Sequence, residues 1–258
     1  MRKPERKARP LPSRRLFALA LLALAVSSGC ERAAGPALRF EERPRAVAPQ
    51  AARDPQLLVR ASGSVAVLAV EPAAGGGADL RLHVSPSRGD LFQHGPRINQ
   101  APGSVRSHGE GTPILLEAPG GKFYAVWLGR RAEGKRGNVI RVARSDDFLR
   151  SFAPPVELGA APGPGPAFFD ATVSPEGTVI VSWLGPGPGD SLPGSSHVLV
   201  SSSTDQARTF NAPVSASSDV CPCCRPGLGA DENGRWYLAW RAMDALDIRA
   251  LVIAASSD

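Results

Sequence analysis

Apolar positions along this chain come in short runs dense in valine, leucine, isoleucine and tryptophan, and the runs recur on a nearly fixed beat. Four of them end at Val70, Trp127, Trp183 and Trp240, at intervals of 57, 56 and 57 residues. A glycine stands a few residues ahead of each run, at Gly63, Gly121, Gly177 and Gly234, at intervals of 58, 56 and 57. Self-similarity at such a period marks an array of like units, each too small to bury its apolar faces alone.

One unit can be read in full. Residues 166–173 predict a first strand, and Ser174-Pro175-Glu176-Gly177 a turn in which glycine supplies a positive φ cheaply. Residues 178–184, rich in β-branched and aromatic side chains, predict a second strand. A Gly/Pro loop over 185–196 leads to a third strand at 197–201, and the run from Ala212 begins a fourth. Equivalent strands are expected at 56–61, 64–70 and 79–84, then at 112–117, 122–128, 138–143 and 156–158, and finally at 228–230, 235–241 and 247–254. The fold class is therefore all-β, with four-stranded antiparallel sheets packed radially as the blades of a β-propeller. Its blades fall near 55–100, 110–160, 165–216 and 225–258, preceded by a flexible linker over 31–54. The last unit stops before its outer strand, so an incomplete, truncated propeller is expected.

A second signature keeps the same beat. Ser203-Thr204-Asp205-Gln206-Ala207-Arg208-Thr209-Phe210 is matched by Ser145-Asp146-Asp147-Phe148-Leu149-Arg150-Ser151-Phe152. A worn copy starts at Ser85, with Ser87 in the aspartate position, and Ser256-Ser257-Asp258 opens a fourth. Serine, aspartate and aromatic at this spacing resemble the Asp-box, or BNR repeat, of sialidase-like propellers. The resemblance covers roughly residues 56–258 and implies a six-bladed parent fold. It gives Ser145, Asp147, Phe152, Ser203, Asp205, Phe210, Ser256 and Asp258 a structural role, the aspartate capping its own hairpin and the aromatic packing between sheets. The chain is most similar to an exported bacterial sub-group, often labelled exo-α-sialidase, that carries a segment like Val220-Cys221-Pro222-Cys223-Cys224-Arg225-Pro226 after an Asp-box.

Sialidase chemistry needs an arginine cluster for the substrate carboxylate and a tyrosine nucleophile activated by a glutamate. The two tyrosines, Tyr124 and Tyr237, occupy corresponding positions inside second strands, as packing residues do. No triad can be assigned. Asp170 and Glu110, at the ends of first strands near a propeller axis, are the candidate site acids. His83, His94 and His197 read as surface or packing histidines. By analogy with other propellers, the fold implies a binding protein for a glycan or protein ligand. The rival reading is an exo-α-sialidase acting on terminal sialic acids.

The N-terminus alters the charge picture. Seven basic residues stand against Glu5 in residues 1–30, followed by the apolar run 16–26 and the small residues Ser27-Ser28-Gly29. This is an export signal, and its 11-residue core is short of the ~20 a bilayer span requires. Cys30 resembles a bacterial lipoprotein cleavage site, with Ser27 where leucine is usual, which implies a lipid anchor at the cell envelope, periplasmic or outer. Ser13-Arg14-Arg15-Leu16-Phe17 resembles a twin-arginine motif, so the export route stays open. The whole chain carries +6, and residues 1–30 hold all of that excess, leaving 23 basic and 23 acidic residues beyond them. A nucleic-acid partner is thereby disfavoured.

Cys221, Cys223 and Cys224 are the only cysteines after Cys30. Three readings stay open at this point: a disulfide with the third sulfur bonded to a cysteine beyond residue 258, a soft-metal site for copper or zinc, and a redox-active thiol pair.

Overall fold

The computed structural model describes residues 44–131, 137–160, 165–187 and 196–256. The export signal, Cys30, linker residues 31–43 and Asp258 of the last Asp-box lie outside the described residues. No helix occurs among those described.

Among the described residues sixteen strands form four antiparallel sheets. The first holds β1 (Arg53–Val59), β2 (Val65–Pro72), β3 (Ala78–Ser85) and β4 (Gln93–Arg97) in chain order. The second holds β5 (Val105–Arg106), β6 (Ile114–Ala118), β7 (Lys122–Arg130), β8 (Asn138–Ser145) and β9 (Val156–Leu158). The third is β10 (Phe169–Val173), β11 (Val179–Gly185), β12 (His197–Ser203) and β13 (Val214–Ser217). The fourth has β14 (Gly227–Ala230), β15 (Trp236–Met243) and β16 (Arg249–Ala255).

The sheets are the blades of a β-propeller. Their innermost strands touch in chain order, β1 on β6, β6 on β10 and β10 on β14, as they must around a common axis. Among the described residues three apolar cores lie between successive sheets. Val70 and Trp127 meet between the first and second sheets, Trp183 packs between the second and third, and Trp240 between the third and fourth. Along β7 the period of two is complete: Phe123, Ala125 and Trp127 face one neighbour, and Tyr124, Val126 and Leu128 the other. The repeated tryptophans are thus the plugs between blades. The four glycines ahead of them all have positive φ, from 70° at Gly121 to 89° at Gly177. At Gly121 a Cβ would also stand 2.9 Å from the Phe148 ring.

Two expectations need correction. β1 starts at Arg53, inside the stretch assigned to the linker, because a bulge at Asp54, whose φ is +54°, carries the ladder past an interruption that strand periodicity does not reveal. The second sheet has five strands, not four, since β5 pairs with Leu128 and Gly129 beyond the end of β6. A two-residue strand has no periodicity to read.

Turns in such a meander alternate between two ends of the sheets. One end carries the β1–β2, β6–β7, β10–β11 and β14–β15 turns together with the Asp-boxes. Lys122 ties it across blades, reaching Asp146 at 3.3 Å and Gln206 of the next blade at 3.0 Å. The other end, the loop end, carries the connections within blades from second to third strand and the connections between blades.

Candidate functional site

At the Asp-box end, two copies are superposable bond for bond. The Ser145 hydroxyl donates to Asp147 Oδ1 at 2.9 Å and accepts from the Leu149 amide at 3.0 Å. Asp147 Oδ1 also accepts from the Arg150 and Ser151 amides, and Oδ2 from the Ser151 hydroxyl at 2.6 Å. Ser203 and Asp205 repeat this with Ala207, Arg208 and Thr209 at 2.6–3.0 Å. The turn needs such a cap because two consecutive non-glycine residues are left-handed, Phe148 and Leu149 in one box and Gln206 and Ala207 in the other. Phe152 and Phe210 pack against the cores on either side of the second sheet. In the worn copy Ser85 still accepts from the Gly89 amide at 3.0 Å. Ser256 accepts from the Trp236 amide at 3.0 Å.

Both carboxylates are spent on these turns. The Thr209 hydroxyl and amide, then the Ser203 hydroxyl, hold the Asp205 carboxyl well below the usual carboxylate range. Partial burial pushes Asp147 up, but donors from Ser151, Ser145 and Arg150 outweigh it and leave the group below its ordinary value. Neither is placed to transfer a proton near neutral pH.

The loop end is built differently. Between β13 and β14 the chain runs alongside β15, with Val220 bridged to Ala242 and the Cys221 amide donating to the Arg241 carbonyl at 2.8 Å. A turn then brings three thiols together. The sulfurs are 3.3 Å (Cys221–Cys223), 3.4 Å (Cys221–Cys224) and 3.9 Å (Cys223–Cys224) apart, and all three cysteines are free. Cys221 is buried, Cys224 half-buried and Cys223 exposed. Arg241 Nη1 lies 3.7 Å from Cys224 Sγ. The Cys223 amide and thiol draw the Cys221 thiol down to about 7, while hydrogen bonds to Cys221 and Cys224 push Cys223 up. Cys221 is therefore the first of the two to ionise.

Asp170 has a role that its sequence position does not reveal. Its Oδ1 accepts from Arg225 Nη2 at 2.6 Å and its Oδ2 from the Leu228 amide at 2.7 Å. It lies within β10 and clamps the cysteine segment and the start of β14 onto the third sheet, with both oxygens occupied. Its partners are 55 and 58 residues away in sequence, and only the Cys-Cys-Arg-Pro run beside them hinted at a fixed loop. Glu110 is exposed in the turn at 108–111, next to His108, whose ring meets Phe168 edge-on at 5.6 Å.

Beside the thiols opens a groove of about 420 Å³ lined by His197, Ser218, Asp219, Pro222, Met243 and Asp244, among others. His197 Nδ1 is 2.7 Å from the Ser215 hydroxyl, and Asp244 Oδ1 caps the β15–β16 turn through the Leu246 and Ile248 amides. The tyrosines lie elsewhere. Tyr124 is buried between the second and third sheets, its phenol pushed up by that burial. Tyr237 donates to Asp231 Oδ2 at 3.3 Å, in the β14–β15 turn of the Asp-box end. His83, read as a surface or packing histidine, is a packing residue: it is fully buried, 2.7 Å from Glu71 Oε1 and edge-on to His94.

No protein-family model matches the chain, and no curated protein matches it in sequence. Solved structures do resemble it. An α-L-arabinofuranosidase, Arb93A, from Fusarium graminearum in complex with an iminosugar inhibitor aligns at TM-score 0.54 and 13% identity, over 78% of this chain and 61% of that one. An α-L-arabinanase from Penicillium chrysogenum complexed with arabinobiose aligns at 0.51 and 17%, over 75% and 62%. A Dyadobacter fermentans protein of unknown function aligns at 0.50 and 14%, over 78% and 60%. The two hydrolases are β-propellers, so the fold of this chain is theirs. It spans about six tenths of the length of each.

Proposed function

We propose that this chain is a sialidase-like, Asp-box propeller that binds carbohydrate at its loop end. The observation carrying this reading is the division of labour between the two ends. Both well-formed Asp-boxes consume their carboxylates in their own turns, while the loop end offers a groove with imidazole, carboxylate and hydroxyl groups. Sugars present many hydroxyls, and a cleft with a few convergent polar groups among apolar ones suits them. Support also comes from the two hydrolases of like fold, whose structures hold an iminosugar and arabinobiose. A binding role is favoured over sialidase turnover because Tyr124 is sealed in the core and Tyr237 is engaged at the opposite end.

The same reading makes residues 1–30 an export signal and Cys30 a lipid-anchored N-terminus at the cell envelope. Its test is a glycan screen of the full-length chain, alongside fluorogenic sialoside and arabinoside substrates. The expected result is binding of an oligosaccharide, weakened at least about 10-fold in His197→Ala and Asp219→Ala variants and unchanged in Asp205→Asn. Binding that ignores both groove substitutions, or none at millimolar sugar, overturns it. Turnover of either substrate replaces binding with hydrolysis.

A further inference from the structure

The geometry points to a second site that does not depend on the carbohydrate reading: Cys221, Cys223 and Cys224 form a three-thiolate centre for one thiophilic d10 ion, Zn(II) or Cu(I). A disulfide would hold two sulfurs at about 2.05 Å. Here all three stand 3.3–3.9 Å apart, and no pair is singled out. Thiolates arranged tetrahedrally about an ion at about 2.3 Å are about 3.8 Å apart, so every side of this triangle is within about 0.5 Å of the required length. An ion about 2.3 Å from each sulfur of this triangle sits about 1 Å off their plane, which leaves a fourth position open.

The triangle is built, not incidental. Along an extended strand Cys223 and Cys224 would point to opposite faces. The turn at 221–224, closed by the Cys224 amide on the Cys221 carbonyl at 3.4 Å, brings their sulfurs to one side. Pro222 and Pro226 stiffen the loop, the Cys221 amide is fixed to β15, and Asp170 fixes Arg225 and the Leu228 amide from the neighbouring blade. The Arg241 guanidinium beside Cys224 opposes the negative charge that the thiolates leave uncancelled, as outer-shell donors do in metal sites. Among the described residues no histidine or carboxylate joins the three sulfurs within ligand reach. Three protein ligands and one open position describe a reactive or exchangeable site rather than a closed structural one. Exposed Cys223 gives the ion a route in from solvent, and each thiol that binds it releases its proton to the medium.

The full-length protein, reduced and kept anaerobic, is titrated with Zn(II) against a chromophoric chelator and separately with Cu(I) against a bicinchoninate competitor. Elemental analysis gives the stoichiometry. One ion per chain is expected from at least one arm, and the tighter arm identifies the metal. The Cys221→Ser/Cys223→Ser/Cys224→Ser variant loses the ion. The exposed Cys223→Ser variant, whose fold is not at stake, weakens it at least about 100-fold, and Arg241→Ala weakens it about 10-fold. Three results overturn the inference: a mass lower by two hydrogens in the untreated chain with no uptake after reduction, uptake undiminished in Cys223→Ser, or no uptake in either arm.

Discussion

The Asp-boxes at one end of the blades and the cysteine segment at the other fix a change of chain direction in opposite ways. In the two well-formed Asp-boxes the turn is self-sufficient: serine and aspartate two residues apart satisfy the backbone of their own hairpin within six residues. At the loop end the cysteine segment is held by groups from elsewhere, the β15 backbone on one side and Asp170 of the preceding blade on the other. Self-sufficient turns can be copied from blade to blade, and they are. A segment held from outside is free to carry residues found once, and the three thiols occur once. The lesson is that the conspicuous repeated acids are architecture, while chemistry is to be sought where the repeat breaks.

The strongest way to break this contrast is to remove what both ends share. Trp183 is fully buried between the second and third sheets, and Trp183→Ala is expected to cost about 3–5 kcal/mol. Both ends should lose order in one cooperative transition, with Cys221 alkylation and amide exchange at Ala207 rising together. Independent transitions would mean that the ends are separate folding units and that the contrast reflects nothing about one shared scaffold.

A smaller effect sharpens the Asp-box half. Ser203 is buried, and its hydroxyl is the acceptor for the equally buried Ala207 amide at 2.9 Å. Ser203→Ala leaves that amide without the hydroxyl and is expected to cost about 1–3 kcal/mol, read from chemical denaturation. Acid should act on the same turns. Asp147 and Asp205 have carboxyls depressed in the folded state, so their contribution is fully present above the unfolded value of about 3.9 and drains away as pH falls below it. Asp205→Asn should flatten the decline of the unfolding midpoint as pH falls from about 4 toward about 2. An unchanged slope would show that acid acts elsewhere.

How much of this was legible depended on the range of the interaction. Second strands, their closing tryptophans and the turn glycines follow from period-two burial and positive φ, both local, and the sequence displays them directly. Serine, aspartate and aromatic of the Asp-box lie within eight residues, so their spacing was readable, but the paired left-handed residues that make the cap necessary were not. Leu149 and Ala207 carry no signature of that conformation. Asp170 looked like an acid near an axis because its partners lie in the next blade. The cysteine spacing announced a cluster, whereas the convergence of three sulfurs on one side depends on the turn at 221–224 and on an anchor to β15 that follows it in sequence.

The smallest effect is the most informative about the loop end. If the thiols serve an ion and not the fold, then Cys223→Ser in metal-free, reduced protein should change stability by less than about 0.5 kcal/mol, as exposed substitutions usually do. The backbone anchors of the segment do not involve the Cys223 side chain: they run through the Cys221 amide, the Val220 bridge and Asp170. Wild-type protein given the ion should then melt higher than metal-free protein by an amount the variant does not reproduce, because an ion that binds only the folded state adds its binding free energy to stability. A loss above about 1 kcal/mol in the reduced, metal-free variant would instead make the thiols a staple of the blade junction. The loop end would then be architecture like the Asp-box end, and the contrast between the two would fail.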